Sequence, residues 1–354
     1  MSRGAASRQI ASIVRHAMPQ LGVRATIIRV DTGGNELIDM GFGNSMAGVP
    51  ASPRMHFRIG SMAIPYLITL LLQLEDKGVL SLNDRLSKYV PNLPDANEVT
   101  LRELASVTSG YPDWIQGNEA FQRVLLENPF RQWTPNELLA YAFAQPPVCA
   151  PGTCFHYAHT NFAVLSEVIA KATGRSIDTL VRNRVLKPLR LDQIQVSRYP
   201  AMPGPVLHAY TSERGVYEDA TYWSPSWSIG AGTVMSGTIA DVTRTARAIG
   251  AGALLSKHAS RERFAPITAH LAPFDSHRYY ALGILVDNGW QIQNPVIDGY
   301  TGIMAYLPSR GLSVGVVTTQ LPQSSANATS YASLIFKAVS AYLSPEHPAE
   351  FPGS

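Results

Sequence analysis

The period of the apolar pattern changes twice along this chain, and the order of those changes constrains the fold more than any single residue. Residues 8–18 carry helical spacing (Ile10, Ile13, Val14, Met18). Residues 24–31 are rich in Ile, Val and Thr, Asp31-Thr-Gly-Gly-Asn35 is a turn, and 36–43 continues as a second strand. From 61 to about 190 the pattern is helical. A long apolar helix over 61–76 ends at Lys77-Gly78. Thr100-Leu-Arg-Glu103 and Thr134-Pro-Asn-Glu137 are capping boxes, the second with Pro at the first helical position. Residues 161–172 form a helix closed by Thr173-Gly174, and 176–186 continues the trend. Strand character returns at 280–287, 296–307 and 312–320, the last two joined by Pro308-Ser-Arg-Gly311. An amphipathic helix over 325–343 and a tail over 345–354 finish the chain.

Helix, hairpin, helical block, strands and helix predict an α+β fold. The terminal segments form one antiparallel five-stranded sheet covered by helices, with an all-helical lobe inserted. The expected division is 1–56 with 222–344 for the sheet lobe, 57–221 for the helical lobe, and 345–354 as a flexible tail. A cleft between two lobes is a usual place for a site.

Composition narrows the function. The 354 residues are 45% hydrophobic and 16% charged, enough for a sizeable core. A net charge of +3, with no Lys/Arg cluster interleaved with aromatics, argues against nucleic acid as partner. The most apolar run, 66–72, is too short to span a membrane. The polar start, with Arg3 and Arg8, is no signal peptide, so the chain as it stands reads as cytoplasmic, or as exported if a leader has been removed. Cys149 and Cys154 flank the turn Ala-Pro-Gly-Thr, and a disulfide and two reduced thiols are both compatible with that spacing. There is no Gly-x-Ser-x-Gly elbow, His-Glu-x-x-His, Cys-x-x-Cys or phosphate loop; no metal and no cofactor are expected.

The chemistry-bearing stretch is Phe57-Arg58-Ile59-Gly60-Ser61-Met62-Ala63-Ile64. Ser61 stands at the head of the apolar helix, where a serine is most often an N-cap. Position 64, one helical turn on, shares its face and is Ile, which has no titratable group.

These residues, with Leu71-Leu-Gln-Leu-Glu75, Gly78-Val-Leu-Ser-Leu82, Tyr89-Val90-Pro91, Ser106-Val-Thr-Ser-Gly110, Pro151-Gly-Thr and Trp227-Ser-Ile-Gly-Ala-Gly232, resemble the serine β-lactamase and penicillin-binding protein superfamily. The closest branch is class C β-lactamases, D-Ala-D-Ala carboxypeptidases and related esterases. The resemblance covers about residues 20–343. It implies acyl transfer by Ser61, assisted by a Lys one turn on, a Tyr from a Tyr-x-Asn motif, and a Lys/His-Thr-Gly strand.

Each motif is altered. Ile64 replaces the Lys. Tyr157-Ala158-His159 keeps the Tyr and puts His where the family has Asn; a neutral imidazole accepts a proton near pH 7, so His159 is the candidate base. Counting back from the hairpin at 308–311 places the third triplet on Gln293-Asn294-Pro295. Pro295 has no N–H, so the oxyanion donors fall to the backbone of Ser61 and Val296. Gln293, Asn294, Ile64 and Trp227 are expected to line the cleft beside them. The site is less cationic than in typical relatives, which favours a neutral or apolar small molecule. Two readings follow. One is a rewired enzyme, either a serine hydrolase or acyltransferase on Ser61, Tyr157 and His159, or an acid–base cyclase or isomerase on the last two. The other is an inactive relative that binds a ligand or protein in the old cleft.

Overall fold

The computed structural model describes residues 2–230, 232–325 and 329–351. Helix α1 (Arg3–Leu21) starts where the Ser2 side chain accepts from the Ala5 N–H and ends on Gly22 at φ 67°. It buries Ile10, Val14 and Met18, one turn apart.

The main sheet has nine strands among the described residues, against the five expected: β1 (Val23–Thr32), β2 (Asn35–Met46), β3 (Val49–Pro50), β4 (Arg278–Tyr280), β5 (Leu285–Asp287), β6 (Trp290–Gln293), β7 (Val296–Ile297), β8 (Tyr300–Leu307) and β9 (Leu312–Gln320). Its order is β3-β2-β1-β9-β8-β6-β5-β4, with β7 also on β8, and every pairing is antiparallel. Two of the four additional strands come from local folding back, and the other two are the short strands β3 and β6. Residues 296–307 are a hairpin rather than one strand, because Asp298 and Gly299 take φ 45° and 81°, the turn that matches the twist of paired strands. Residues 280–287 fold back on themselves at Gly283 (φ 65°). Strand β6, Trp-Gln-Ile-Gln, carries a period-2 pattern in the sequence that was too short to stand out.

Alternation along β1 and β9 sends side chains to two cores. Ile28, Val30, Val314 and Val316 meet α1 and the C-terminal helix Tyr331–Leu343. Ile27 and Val317 face the other core, with the nucleophile helix α2 (Ile64–Asp76) and the helix Ile239–Gly250. Both capping boxes form as expected, at Thr100–Glu103 and Thr134–Glu137. A small sheet pairs Phe57–Arg58 with Met235–Gly237 and that with Gln195–Val196, fixing the chain just before Ser61.

The tail does not hang free as expected. Phe351 is 1% exposed, the N–H groups of Glu350 and Phe351 donate to Asp287 Oδ2, and Trp290 Nε1 donates to the His347 carbonyl. Ala231 of the Trp227–Gly232 motif, 326–328 of the last predicted helix, and 352–354 of the tail lie outside the described residues.

Candidate active site

Ser61 lies in a 3₁₀ turn, Gly60–Ala63, ahead of α2. Ala63 occupies the cap position of α2 with no side-chain cap bond, so the Ser61 hydroxyl is not spent on capping. Gly60 has φ 50°, and a Cβ there would meet Pro295 Cβ at 2.7 Å. Only glycine lets the turn press so closely on the strand opposite. Ile64 does not line an open wall. It is fully buried, and a Cβ on Gly283 would meet Ile64 Cγ2 at 2.9 Å and Ile68 Cγ1 at 2.4 Å. The branched side chain packs into the core behind the 60–63 turn.

Tyr157 sits beside Ser61. Burial pushes its phenol well above the ordinary range, the Asp113 carboxylate adds to the rise, and the adjacent Ser61 hydroxyl opposes it. No cation enters that balance, so the phenol is neutral around pH 7 and can donate a hydrogen bond. The His159 ring stands edge-on to it, centroids 5.3 Å apart.

His159 opens helix α3 (His159–Thr173) and is anchored from another segment. Asp113 Oδ1 accepts from the His159 backbone N–H at 3.1 Å, and Oδ2 lies 2.9 Å from Nδ1. The Asp113 carboxylate is fully buried. A carboxylate only accepts, so the Nδ1 proton points to Asp113 and Nε2 is left as acceptor. The anion also faces the positive end of α3. Asp113 is the site residue that the sequence reading missed; its one signal was its place just beyond Ser106–Gly110. Ser109 Oγ donates to Asn161 Oδ1 at 2.6 Å and Thr160 Oγ1 to the Pro112 carbonyl at 2.6 Å, tying that segment to α3. Among the described residues His159 makes no hydrogen bond to Ser61 or Tyr157.

Trp114 Nε1 donates to the Trp227 carbonyl at 2.9 Å, and the Trp114 ring lies 5.8 Å from that of His159. Trp227 is thereby on the same wall, one residue removed from the imidazole.

The opposite wall is the strand 290–297. Gln293 pairs with Met304 and Val296 with Thr301, so β6 and β7 keep one register on β8 across Asn294-Pro295. The Gly302 N–H donates to the Pro295 carbonyl at 2.9 Å. Pro295–Gly302 is thus a hydrogen-bonded pair, and the alternation of an antiparallel ladder turns the Val296 N–H away from β8. Gln293 is 3% exposed and gives its Nε2 to the Gly283 carbonyl at 2.7 Å; Asn294 is half-buried and Val296 is 41% exposed.

Cys149 and Cys154 are joined in a disulfide, with Cα atoms 6.3 Å apart. The loop they close lies on the segment leading to Asp113. The Val148 N–H donates to the Gly110 carbonyl, Gly152 to Thr108, and His156 to Val107.

The geometry therefore joins Ser61 to Tyr157, Tyr157 to His159, and His159 to Asp113, with the 293–297 strand packed against Gly60. Comparisons with known proteins bear on the family and the fold. The family described as Beta-lactamase matches residues 10–335. A protein of Bacillus subtilis (strain 168) named as a penicillin-binding protein, PbpX, is 26% identical over 302 residues, 84% of this chain and 70% of that protein. Protein flp of Staphylococcus aureus (strain N315) is 27% identical over 191 residues, 52% of this chain but 37% of flp. Among solved structures, a D-stereospecific amidohydrolase from Streptomyces sp. superposes with a TM-score of 0.81 at 26% identity, covering 96% of this chain and 99% of that one. The D-amino acid amidase of Ochrobactrum anthropi SV3 shares the fold at a TM-score of 0.79 and 21% identity, over 95% and 99% of the two chains. With residues 10–335 matched by the family model and the fold shared over nearly the whole length, the chain belongs to the beta-lactamase family.

Proposed function

We propose that this protein is an acyl-transfer enzyme whose proton relay runs through Tyr157 to His159 instead of through a lysine. The observation that carries this reading is the position of Tyr157, against Ser61 on one side and beside the Asp113-anchored His159 on the other. As Ser61 Oγ attacks a carbonyl carbon, its proton passes to Tyr157 Oη and the proton of Tyr157 passes to His159 Nε2. The carbonyl π pair moves to oxygen, and the N–H groups of Ser61 and Val296 serve as its donors in this reading. Collapse expels the leaving group, which takes the proton back along the same path; water then repeats the steps on the acyl-enzyme. Asp113 steadies the imidazolium that forms between. Relay contacts are commonly longer without substrate than in the reacting complex, so the absence of a direct His159 bond is compatible with this role.

The substrate class that fits is a neutral or apolar small-molecule amide or ester. Ile64 and Gln293 offer no positive charge to a carboxylate, and the Streptomyces structural relative is an amidohydrolase. One observation favours the second reading, a ligand-binding relative without turnover: Ile64 is sealed into the core, so nothing titratable reaches Ser61 from its own helix.

A fluorophosphonate probe followed by peptide mass spectrometry separates the two. The enzyme reading expects labelling at Ser61 that is absent in Ser61→Ala and slowed about 10²- to 10⁴-fold in His159→Ala. Unlabelled wild-type protein, or a His159→Ala variant as fast as wild type, would sink the relay.

A further inference from the structure

Tyr280 has no part in the relay just described, yet it stands beside it. It ends β4 and is 5% exposed. Its main chain is fully used: the N–H donates to Thr268 Oγ1 at 2.8 Å and the carbonyl accepts from the same hydroxyl at 2.9 Å. The ring is held edge-on to Tyr157 with centroids 6.1 Å apart, and is flanked by Phe155 at 5.5 Å. Among the described residues the phenolic oxygen is buried and makes no hydrogen bond of ordinary geometry. Gln293 is its one weak polar contact and opposes the rise that burial imposes on the phenol, while Gln293 Nε2 donates to the Gly283 carbonyl. A buried hydroxyl without a partner is costly, and native structures rarely keep one without a use.

The surroundings suggest the use. Gln293 bonds to Gly283, which packs on Ile64; in the alignment read from the sequence, Ile64 and Gln293 stand where the charged residues of the first and third motifs would be. During the relay Tyr157 Oη gives one proton to His159 as it gains another from Ser61, and carries negative charge whenever the transfer to His159 leads. A donor that waits unpaired in the ground state and engages only then lowers the barrier without tightening ground-state binding.

We propose that the Tyr280 hydroxyl is that donor: a second phenol that hydrogen-bonds Tyr157 Oη as charge develops on it, doing with a neutral group what an ammonium does in relatives that keep the lysine. No atom is transferred to or from Tyr280; its proton stays on its own oxygen. The inference rests on the enzyme reading above.

The test is Tyr280→Phe, which deletes one oxygen and leaves the ring packing intact. With the fluorophosphonate probe, the limiting rate constant for labelling Ser61 should fall about 10- to 10²-fold, while the half-saturating probe concentration stays that of wild type. Melting temperature should hold or rise, because the lost hydroxyl was unpaired. In a Tyr157→Phe background the same substitution should have no further effect, since Tyr280 acts through Tyr157. Tyr280→Phe labelling at the wild-type rate would overturn the inference and leave the enzyme reading standing. So would an undiminished effect in the Tyr157→Phe background. Wild-type protein that is not labelled overturns both.

Discussion

At the scale of single residues, the site is shaped by the loss of charge. Ile64 stands where the resemblance implies a lysine, and the groups left near Ser61 are phenols, an amide and one His–Asp pair. Further along the cleft strand, Asp298 shows burial outweighing the partners of a charge. Burial raises its carboxyl to about 8, Glu213 adds to the rise, and Arg58 and the Trp227 indole oppose it. The folded state therefore favours the neutral form. That contribution to stability is complete below the ordinary value of 3.8 and is lost as pH rises toward about 8. Asp298→Asn keeps a residue that tolerates the left-handed turn and removes the titration. Its melting temperature should fall less than that of wild type across this window, as read by thermal unfolding at several pH values. An unchanged slope would assign the pH dependence elsewhere. That Ser61, Tyr157 and His159 lie near one another was legible in the sequence, because contiguous motifs carry them. Asp113 and Tyr280 were not, because the first reaches His159 from 46 positions away and the second arrives on another strand.

At the scale of elements, the sequence reading placed the helices well and the late strands coarsely. Capping boxes and apolar spacing are local signals, so α2, α3 and the capped helices stood out. The hairpin of β7 and β8 did not, because a turn at Asp298-Gly299 inside a long apolar run leaves the period-2 pattern undisturbed. The disulfide is also decided at this scale. Spacing allowed both bonded and reduced cysteines; the fold lays their loop along 107–110 and brings the sulfurs together. Closing so short a loop is worth about 2 kcal/mol in the chain-entropy model. The double variant Cys149→Ala/Cys154→Ala should lose about that much stability by urea unfolding. Its Ser61 labelling should also slow, since the braced segments carry Asp113 on one side and Tyr157 on the other. Full stability and full labelling together would show that the neighbouring backbone bonds alone hold the segment.

At the scale of the whole molecule, one sheet separates two cores with different duties. The core holding α2 and the helical block carries every site residue named above. The core on the far face, with α1 and the C-terminal helix, closes under the tail through Phe351. Phe351→Ala should cost about 3–5 kcal/mol of folding stability and leave the labelling rate of the folded protein unchanged. Unfolding curves and probe kinetics on one preparation check both halves of that expectation; slowed labelling would mean the two cores are coupled through the sheet.

By itself the sequence determined the α+β class and the family, because each is written in local periodicity or in a contiguous run. The tertiary structure alone decided which side chains share a site. It buried Ile64 behind Ser61, set Asp113 on His159, turned the Val296 N–H off its ladder and packed the Tyr280 ring against Tyr157. Those relations depend on contacts between segments far apart in the chain, and no local pattern of residues encodes a distance across a fold.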